Sequence, residues 1–243
     1  MRGILLLTIL TIVFSSSAMT QIIAERKYDL NHHVRDALNT AIREKYGSNY
    51  KVSSFHIMDS LIANSRRQQI TDPYSTLAGC ILFSARPSPN NEDSILTGMY
   101  KNGQIIWDDY PGTGAGFGGA LLTTKDINND GEVDILQAEL DHQRFTPSSS
   151  IFYLWILSWN GTRGKIINDI DSVTHQSTLV STDKMYDLVD VNPDSVKQIR
   201  GWINSAWQDD FPHLNPKTLP SIIYSWNGSK YGFFPDSPSN KRK

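Results

Sequence analysis

Cysteine is almost absent from this chain of 243 residues, in which Cys80 stands alone. A single cysteine excludes an internal disulfide, so the fold depends on packing and on any bound metal. The surrounding sequence LAGCILF predicts a buried strand, where a thiol behaves as a small apolar side chain. The alternative, a catalytic cysteine, needs a partner histidine, and the spacing of the histidines supplies none.

Long apolar segments are missing as well. The run Ile4–Phe14 is shorter than the roughly 20 residues that a membrane-spanning helix needs. It follows Arg2 and precedes the small residues Ser16 and Ala18, an order typical of a secretory signal peptide. We therefore predict a signal peptide over residues 1–18, with an uncleaved membrane anchor as the alternative. The mature protein is then periplasmic or secreted and has no stable membrane span, and its lack of disulfides favours a bacterial setting.

No strong charge of either sign is present, because the formal net charge is −2 at pH 7. A nucleic-acid surface needs a basic stripe, so we expect no nucleic-acid partner and predict a protein or glycan partner instead. A hydrophobic content of 39% is that of an ordinary globular chain with a sizeable core.

Apolar residues at helical spacing predict a helix near the N terminus. The stripe consists of Leu30, Val34, Ala37, Leu38, Ala41 and Ile42. Gly47 is placed to end this helix. We expect residues 19–75 to form a helical region that packs on a β domain over residues 76–236, with a disordered tail over residues 237–243. For YKVSSFHI, which begins at Tyr50, strand and helix remain alternatives.

After Leu77 the sequence changes to short apolar runs separated by turn residues, which predicts antiparallel strands. Asn-Gly pairs at Asn102 and Asn160 lie between such runs and give the strongest local signal of a hairpin. Pro193, followed by an apolar stripe, predicts a second helix over residues 193–208. The predicted fold class is α+β, mainly antiparallel β, with an N-terminal helix, β-meander units and this inserted helix.

The segment KDINNDGEVDIL places oxygen-bearing side chains at alternate positions around Gly131. Alternation directs these side chains to one side of an extended backbone, and the glycine permits the turn that wraps the chain around them. The candidate metal ligands are Asp126, Asn128, Asp130, Glu132 through its backbone carbonyl, and Asp134. All are hard oxygen donors without a histidine or cysteine at ligand spacing, which selects calcium (Ca²⁺) over zinc.

A complete EF-hand is not predicted from this segment. An EF-hand needs a bidentate glutamate at its twelfth position, and counting from Asp126 leads to Gln137. The alternative to a metal site is a solvated acidic turn, since Asn and Asp favour turns for their own reasons.

A second, weaker copy of the acidic segment occurs later in the chain. TTKDINND aligns with DLVDVNPD, and a Trp-Asn-Gly turn follows each of them, in LSWNGTRGK and in YSWNGSKYG. This agreement predicts two copies of one supersecondary unit, over residues 117–170 and 185–234. The stretch SILTGMYKNGQIIW has the form of the tail of a third copy.

The stretch FGGALLTTKDINNDGEVDILQAEL resembles the FG-GAP repeat of integrin-type β-propellers and VCBS proteins. Phe117 and Gly118 match its opening pair, and the acidic segment matches its calcium loop. The resemblance implies that the loop joins two strands of a β-meander and binds calcium structurally. The copy at Asp190 lacks the glycine and the last aspartate, so we expect no metal there. A dockerin-like unit, with a helix from Val133 onward, is the structural alternative.

These features together predict an exported binding or interaction module with a structural calcium loop and no catalysis. The alternative is a hydrolase that acts on envelope polymers or glycans through an active site that no motif reveals. Trp159 and Trp226 distinguish the two functions. An exposed tryptophan beside an acidic cleft favours the hydrolase, whereas a closed surface favours the binding module.

Overall fold

The computed structural model describes residues 31–58, 76–87, 96–109, 120–141, 150–174, 176–182, 186–189, 196–203 and 221–234. Within these ranges the chain forms one helix, α1 (residues 31–46), and thirteen β-strands in three antiparallel sheets. No helix in these ranges is long and apolar enough to cross a membrane. The predicted signal peptide and the predicted C-terminal tail lie outside the described residues.

The three sheets follow one another along the chain. Sheet 1 contains β1 (Tyr50–Ile57), β2 (Cys80–Pro87), β3 (Leu96–Lys101) and β4 (Gln104–Asp109). Sheet 2 contains β5 (Ala120–Lys125), β6 (Val133–Leu140), β7 (Ile151–Trp159), β8 (Gly164–Ile166) and β9 (Val180–Thr182). Sheet 3 contains β10 (Asp187–Val189), β11 (Gln198–Gly201), β12 (Ile222–Trp226) and β13 (Tyr231–Gly232). Each sheet is a meander of sequential strands, and β9 pairs in addition with β7. The predicted mainly antiparallel β class is therefore confirmed.

Helix α1 packs on one face of sheet 1. Its Leu38 and Ile42 are fully buried in a cluster with Phe83 and Leu96, so the predicted N-terminal helix is confirmed. The helix ends at Gly47, whose φ of +95° lies in the left-handed region that glycine adopts without strain.

The segment YKVSSFHI forms β1, so of the two alternatives the strand is correct. Strand β1 pairs with β2, and sheet 1 therefore extends across the boundary predicted between residues 75 and 76. The helix also satisfies the backbone of this edge strand. Asn39 Oδ1 accepts the N–H of Val52 at 2.9 Å, and Arg35 donates to the carbonyl of Val52 at 3.2 Å.

Sheet 2 is the middle layer, and its central strands are buried on both faces. Ile135 packs toward sheet 1 with Leu82 and Met99, whereas the next residue, Leu136, packs toward sheet 3 with Ile199. Successive side chains of a strand point to opposite faces, so each of these residues enters a different core. This position explains why β7 is a nearly continuous apolar run and why even the polar side chains of Asp134 and Gln137 in β6 are fully buried. Cys80 is fully buried at the start of β2, as the sequence predicts.

The second helix predicted over residues 193–208 is wrong where the structure describes that segment. Residues 198–201 form β11, which is hydrogen-bonded to β10 on one side and to β12 on the other. Ile199 and Ile203 lie at helical spacing, but both are buried in the core between sheets 2 and 3. Pairing with two neighbouring strands outweighs the local helical pattern, as tertiary context commonly does.

An Asn-Gly pair lies in the turn between the third and fourth strands of every sheet. It is Asn102-Gly103 in sheet 1, Asn160-Gly161 in sheet 2 and Asn227-Gly228 in sheet 3, and each glycine has a positive φ. In sheet 2, Asn160 Oδ1 accepts hydrogen bonds from the N–H and the hydroxyl of Thr162. In sheet 3, Asn227 Oδ1 accepts the same two bonds from Ser229. The side-chain oxygens of Asn160 and Asn227 therefore stabilise the turns in which they lie.

Candidate metal centre

The acidic segment forms the loop between β5 and β6. These strands are antiparallel, with Lys125 opposite Asp134, so the loop joins two neighbouring strands as the FG-GAP resemblance implies. The residues after the loop form β6 and not a helix, which contradicts the dockerin-like alternative. Gly131 has a φ of +88° with open space around its Cα, and it supplies the turn that the sequence predicts.

The first three predicted ligands are directed toward the backbone of their own loop. The N–H of Asp130 lies 3.2 Å from both Asp126 Oδ1 and Asn128 Oδ1. The N–H of Gly131 donates to Asp126 Oδ2 at 2.9 Å, and the N–H of Glu132 donates to Asp130 Oδ1 at 2.8 Å. A single N–H thus gathers one oxygen of Asp126 and one of Asn128, while Asp130 lies at the exposed end of the loop.

Asp134 is the most deeply buried member of the set, with 0% of its surface exposed, and Asn128 is buried as well. Its Oδ2 accepts the N–H of Ile127 at 2.9 Å, whereas Oδ1 is buried without a hydrogen-bond partner. Burial raises the pKa of the Asp134 carboxyl to about 7, and the neighbouring carboxylates of Asp130 and Asp126 raise it as well. The hydrogen bond from the Ile127 N–H lowers this pKa in part.

Glu132 and Ser158 form a second polar contact beside the loop. The Ser158 hydroxyl lies near both Asp134 and Glu132, and it donates to Glu132 Oε2 at 2.9 Å. A serine has one hydroxyl proton, so this bond leaves Asp134 Oδ1 as an unsatisfied acceptor.

Ile127 ties the loop to sheet 3. Its carbonyl accepts the N–H of Lys197 at 2.7 Å and the hydroxyl of Tyr231 at 3.0 Å, while its N–H donates to Asp134. Ile127 and Tyr231 are both fully buried. The backbone of the loop is therefore held from two sides, by Asp134 of β6 and by Tyr231 of β13.

The donor set fits calcium by its chemistry. Calcium takes 6–8 oxygen ligands in flexible geometry, and the loop offers carboxylates, an amide oxygen and a backbone carbonyl. Asp134 Oδ1 is a buried acceptor that a cation can satisfy. Among the described residues, no three His, Cys, Asp or Glu side chains surround a common metal position. Asp126 and Asp130 accept from loop N–H groups instead, and calcium binding stays a prediction.

A pocket of about 350 Å³ lies beside the loop. Its walls include Asp130 and Glu132 from the loop, Ser158 and Lys165 from β7 and β8, and Trp226 from β12. The arrangement brings a partly exposed indole from sheet 3 next to the carboxylates of sheet 2.

The two tryptophans that distinguish the predicted functions differ in exposure. Trp159 is fully buried and packs edge-on against Trp107, with ring centroids 6.1 Å apart. Trp226 is partly exposed, lines the pocket and packs against Tyr231 at a centroid distance of 5.2 Å. Only Trp226 thus meets the criterion of an exposed tryptophan beside acidic groups.

Parts of the predicted site lie outside the described residues. These are the opening pair Phe117 and Gly118 and the degenerate loop from Asp190 to Ser195. The sequence interpretation missed Ser158 and Lys165, whose only signal is their position beside the repeated Trp-Asn-Gly turn. Comparisons with protein-family models, with curated proteins and with solved structures each returned no match.

Proposed function

We propose that this chain is an exported bacterial binding module, related to FG-GAP repeats, in which one calcium ion stabilises loop 126–134. The observation that carries the proposal is the buried Asp134 carboxylate with its unsatisfied Oδ1. Burying an ionised carboxylate is unfavourable unless it is paired or coordinates a metal. Calcium supplies the missing positive charge. The loop residues supply oxygen ligands, and hydrogen bonds within the loop orient the side chains that carry them.

The position of the loop supports a structural role for the ion. Ile127 lies inside the loop and contacts both Asp134 and sheet 3, so closing the loop also fixes the packing of sheets 2 and 3. The shared strand order and the matching turns at Asn160 and Asn227 support a repeat in which neighbouring units depend on one another. We propose that the chain performs no catalytic step and that its partner is a protein or a glycan.

Calcium titration of the full chain by isothermal calorimetry tests this function. We expect one ion per chain, with a dissociation constant of about 10⁻⁴–10⁻³ M or tighter, as in extracellular calcium modules. Asp126→Asn removes a charge and one of the two oxygens that accept loop N–H groups, and it is expected to weaken binding at least about tenfold. The control is Asp171→Asn, because Asp171 is an exposed turn aspartate that also accepts backbone N–H groups, from Val173 and Thr174. Equal binding by both variants, or none by the native chain, contradicts the proposal.

The hydrolase is retained as a second candidate because one observation favours it. Trp226 is partly exposed beside Asp130 and Glu132. Release of reducing ends from envelope or plant polysaccharides by the native chain, and its loss in Glu132→Gln, is the result expected of a hydrolase. Absence of such release at high protein concentration leaves the binding module as the function.

A further inference from the structure

We propose that the pocket beside the calcium loop is a binding subsite for a neutral saccharide unit, with Trp226 as its stacking face. The inference names the ligand class of the proposed binding module and rests on that function. The pocket has a volume of about 350 Å³, within the usual range for small-ligand sites. Its walls combine one aromatic ring with separate donors and acceptors.

Trp226 is held as a rigid platform. Its ring packs against Tyr231, whose hydroxyl lies 3.0 Å from the carbonyl oxygens of both Ile127 and Lys197 and shares its proton between them. Tyr231 is fully buried, so the indole rests on an immobile support, yet Trp226 itself keeps an exposed portion on the pocket side. A fixed and partly exposed aromatic ring offers its face to an apolar ligand surface at little entropic cost.

The polar wall consists of Glu132 and Lys165. Glu132 accepts the hydroxyl of the buried Ser158, which orients its carboxylate and leaves acceptor capacity for a ligand hydroxyl. Lys165 is exposed at the pocket and supplies ammonium donors. This arrangement matches a pyranose ring. Its hydroxyls both donate and accept hydrogen bonds, which suits the polar wall, and its apolar C–H face suits the indole.

The pocket presents charges of both signs, so a ligand with a net charge of either sign is repelled by part of its wall. A cationic ligand meets the Lys165 ammonium, and an anionic ligand meets the carboxylates of Asp130 and Glu132. Gly228 forms part of the rim, and no atom lies within 4 Å of the position of a Cβ there, so the entrance is open. A neutral sugar satisfies each of these groups without repulsion.

The subsite is coupled to the calcium loop through Asp130 and Ile127. Asp130 is both a pocket wall and a predicted metal ligand, and Ile127 links the loop to Tyr231 beneath Trp226. A calcium ion held by Asp130 is therefore expected to alter one wall of the pocket. Removal of the ion is expected to weaken saccharide binding at least about fivefold, within the usual range of coupling between two sites.

The test uses the full chain and a panel of neutral oligosaccharides, namely the tetrasaccharides of chitin, cellulose, starch and mannan, with binding followed by calorimetry. We expect one of them to bind, and Trp226→Ala to weaken that binding at least about tenfold. Lys165→Ala is the second variant, because an exposed lysine is removed without loss of folding, and it is expected to weaken binding about threefold or more. Ile106→Ala removes an exposed apolar side chain that does not line the pocket and is expected to change nothing.

The outcomes separate this inference from the calcium proposal. Calcium binding without binding of any panel member overturns the saccharide subsite and leaves the calcium function standing. Native affinity in both Trp226→Ala and Lys165→Ala also overturns the subsite. Saccharide binding by a chain that binds no calcium upholds the subsite and overturns its coupling to the loop.

Discussion

The carboxylate of Asp134 and the backbone N–H of Ile127 are joined by a hydrogen bond of 2.9 Å that closes the acidic loop. The bond uses Oδ2 only, and the second oxygen is buried without a partner. Ile127 in turn accepts a hydrogen bond from Tyr231 of sheet 3, so the closure of the loop and the packing of two sheets share one residue.

Asp134→Asn is expected to change stability in opposite directions with and without calcium. The asparagine keeps an acceptor for the Ile127 N–H but removes a fully buried charge. In a chelator at pH 8 the variant is therefore more stable than the native chain, by about 1–3 kcal/mol. In excess calcium the order reverses, because the native carboxylate is neutralised by the ion. Urea unfolding in the two buffers measures both values, and the same order in both buffers contradicts the account.

Gln137→Met is expected to stabilise the protein by about 1–2 kcal/mol. Gln137 is fully buried, and neither its amide nitrogen nor its amide oxygen has a hydrogen-bond partner. Methionine has a similar volume without this desolvation penalty. The matched control is Asn168→Leu, because Asn168 is also buried but accepts the N–H of Ile156 and donates to Ser177. The control is expected to lose about 1–3 kcal/mol. Urea midpoints that fall in both variants contradict the assignment of Gln137 as unsatisfied.

Glu139→Gln is expected to remove a pH-dependent part of the stability. Burial raises the pKa of the Glu139 carboxyl from 4.5 to about 7, although the indole N–H of Trp155 and the charge of Arg86 lower it in part. The folded state therefore holds this proton more tightly than the unfolded state, and the native chain loses stability as the pH rises from about 4.5 through 7. Glutamine keeps an acceptor for Trp155 and does not titrate.

The measured quantity is the difference in free energy of unfolding between Glu139→Gln and the native chain. It is expected to grow in favour of the glutamine variant between pH 4.5 and pH 8, by at most about 3 kcal/mol. A difference that stays constant over this range shows that the carboxyl does not carry the pH dependence.

Local patterns were sufficient to predict the hairpins and the β class. The pair Asn102-Gly103 determines its turn without help from distant residues, since both residues adopt a positive φ there. The loop at Asp126 was predictable for the same reason, because its candidate ligands lie within a few residues of one another. Hydrogen bonds inside the loop direct these side chains toward the loop backbone.

The prediction of a second helix failed because its apolar pattern was ambiguous. Ile199 and Ile203 are spaced as on one face of a helix, but the same residues also reach the core from β11 and from the turn after it. What decides between the two is pairing of β11 with β10 and β12, and no local sequence feature contains that information. The apolar content of the segment was predictable, whereas its backbone conformation was not.

The pocket could not be predicted from the sequence, for a related reason. Trp226 and Lys165 come from different sheets, and only the stacking of sheet 3 on sheet 2 brings them to Glu132. The lack of hydrogen-bond partners at the Gln137 amide could not be predicted either, because a glutamine in a strand is also typical of a sheet with one face exposed to water. Burial of β6 on both faces is a property of three stacked sheets.

The thermal melting of the full chain in excess calcium and in chelator, for the native protein and for Asp130→Ala, tests the central claim most directly. At a calcium concentration of about a hundred times the dissociation constant, binding adds about 2.7 kcal/mol to the folded state. For a chain of this size we expect the native melting temperature to rise by about 5–10 °C in calcium. The Asp130→Ala chain is expected to melt at the same temperature in both buffers. A native melting temperature that does not differ between calcium and chelator contradicts the structural calcium loop.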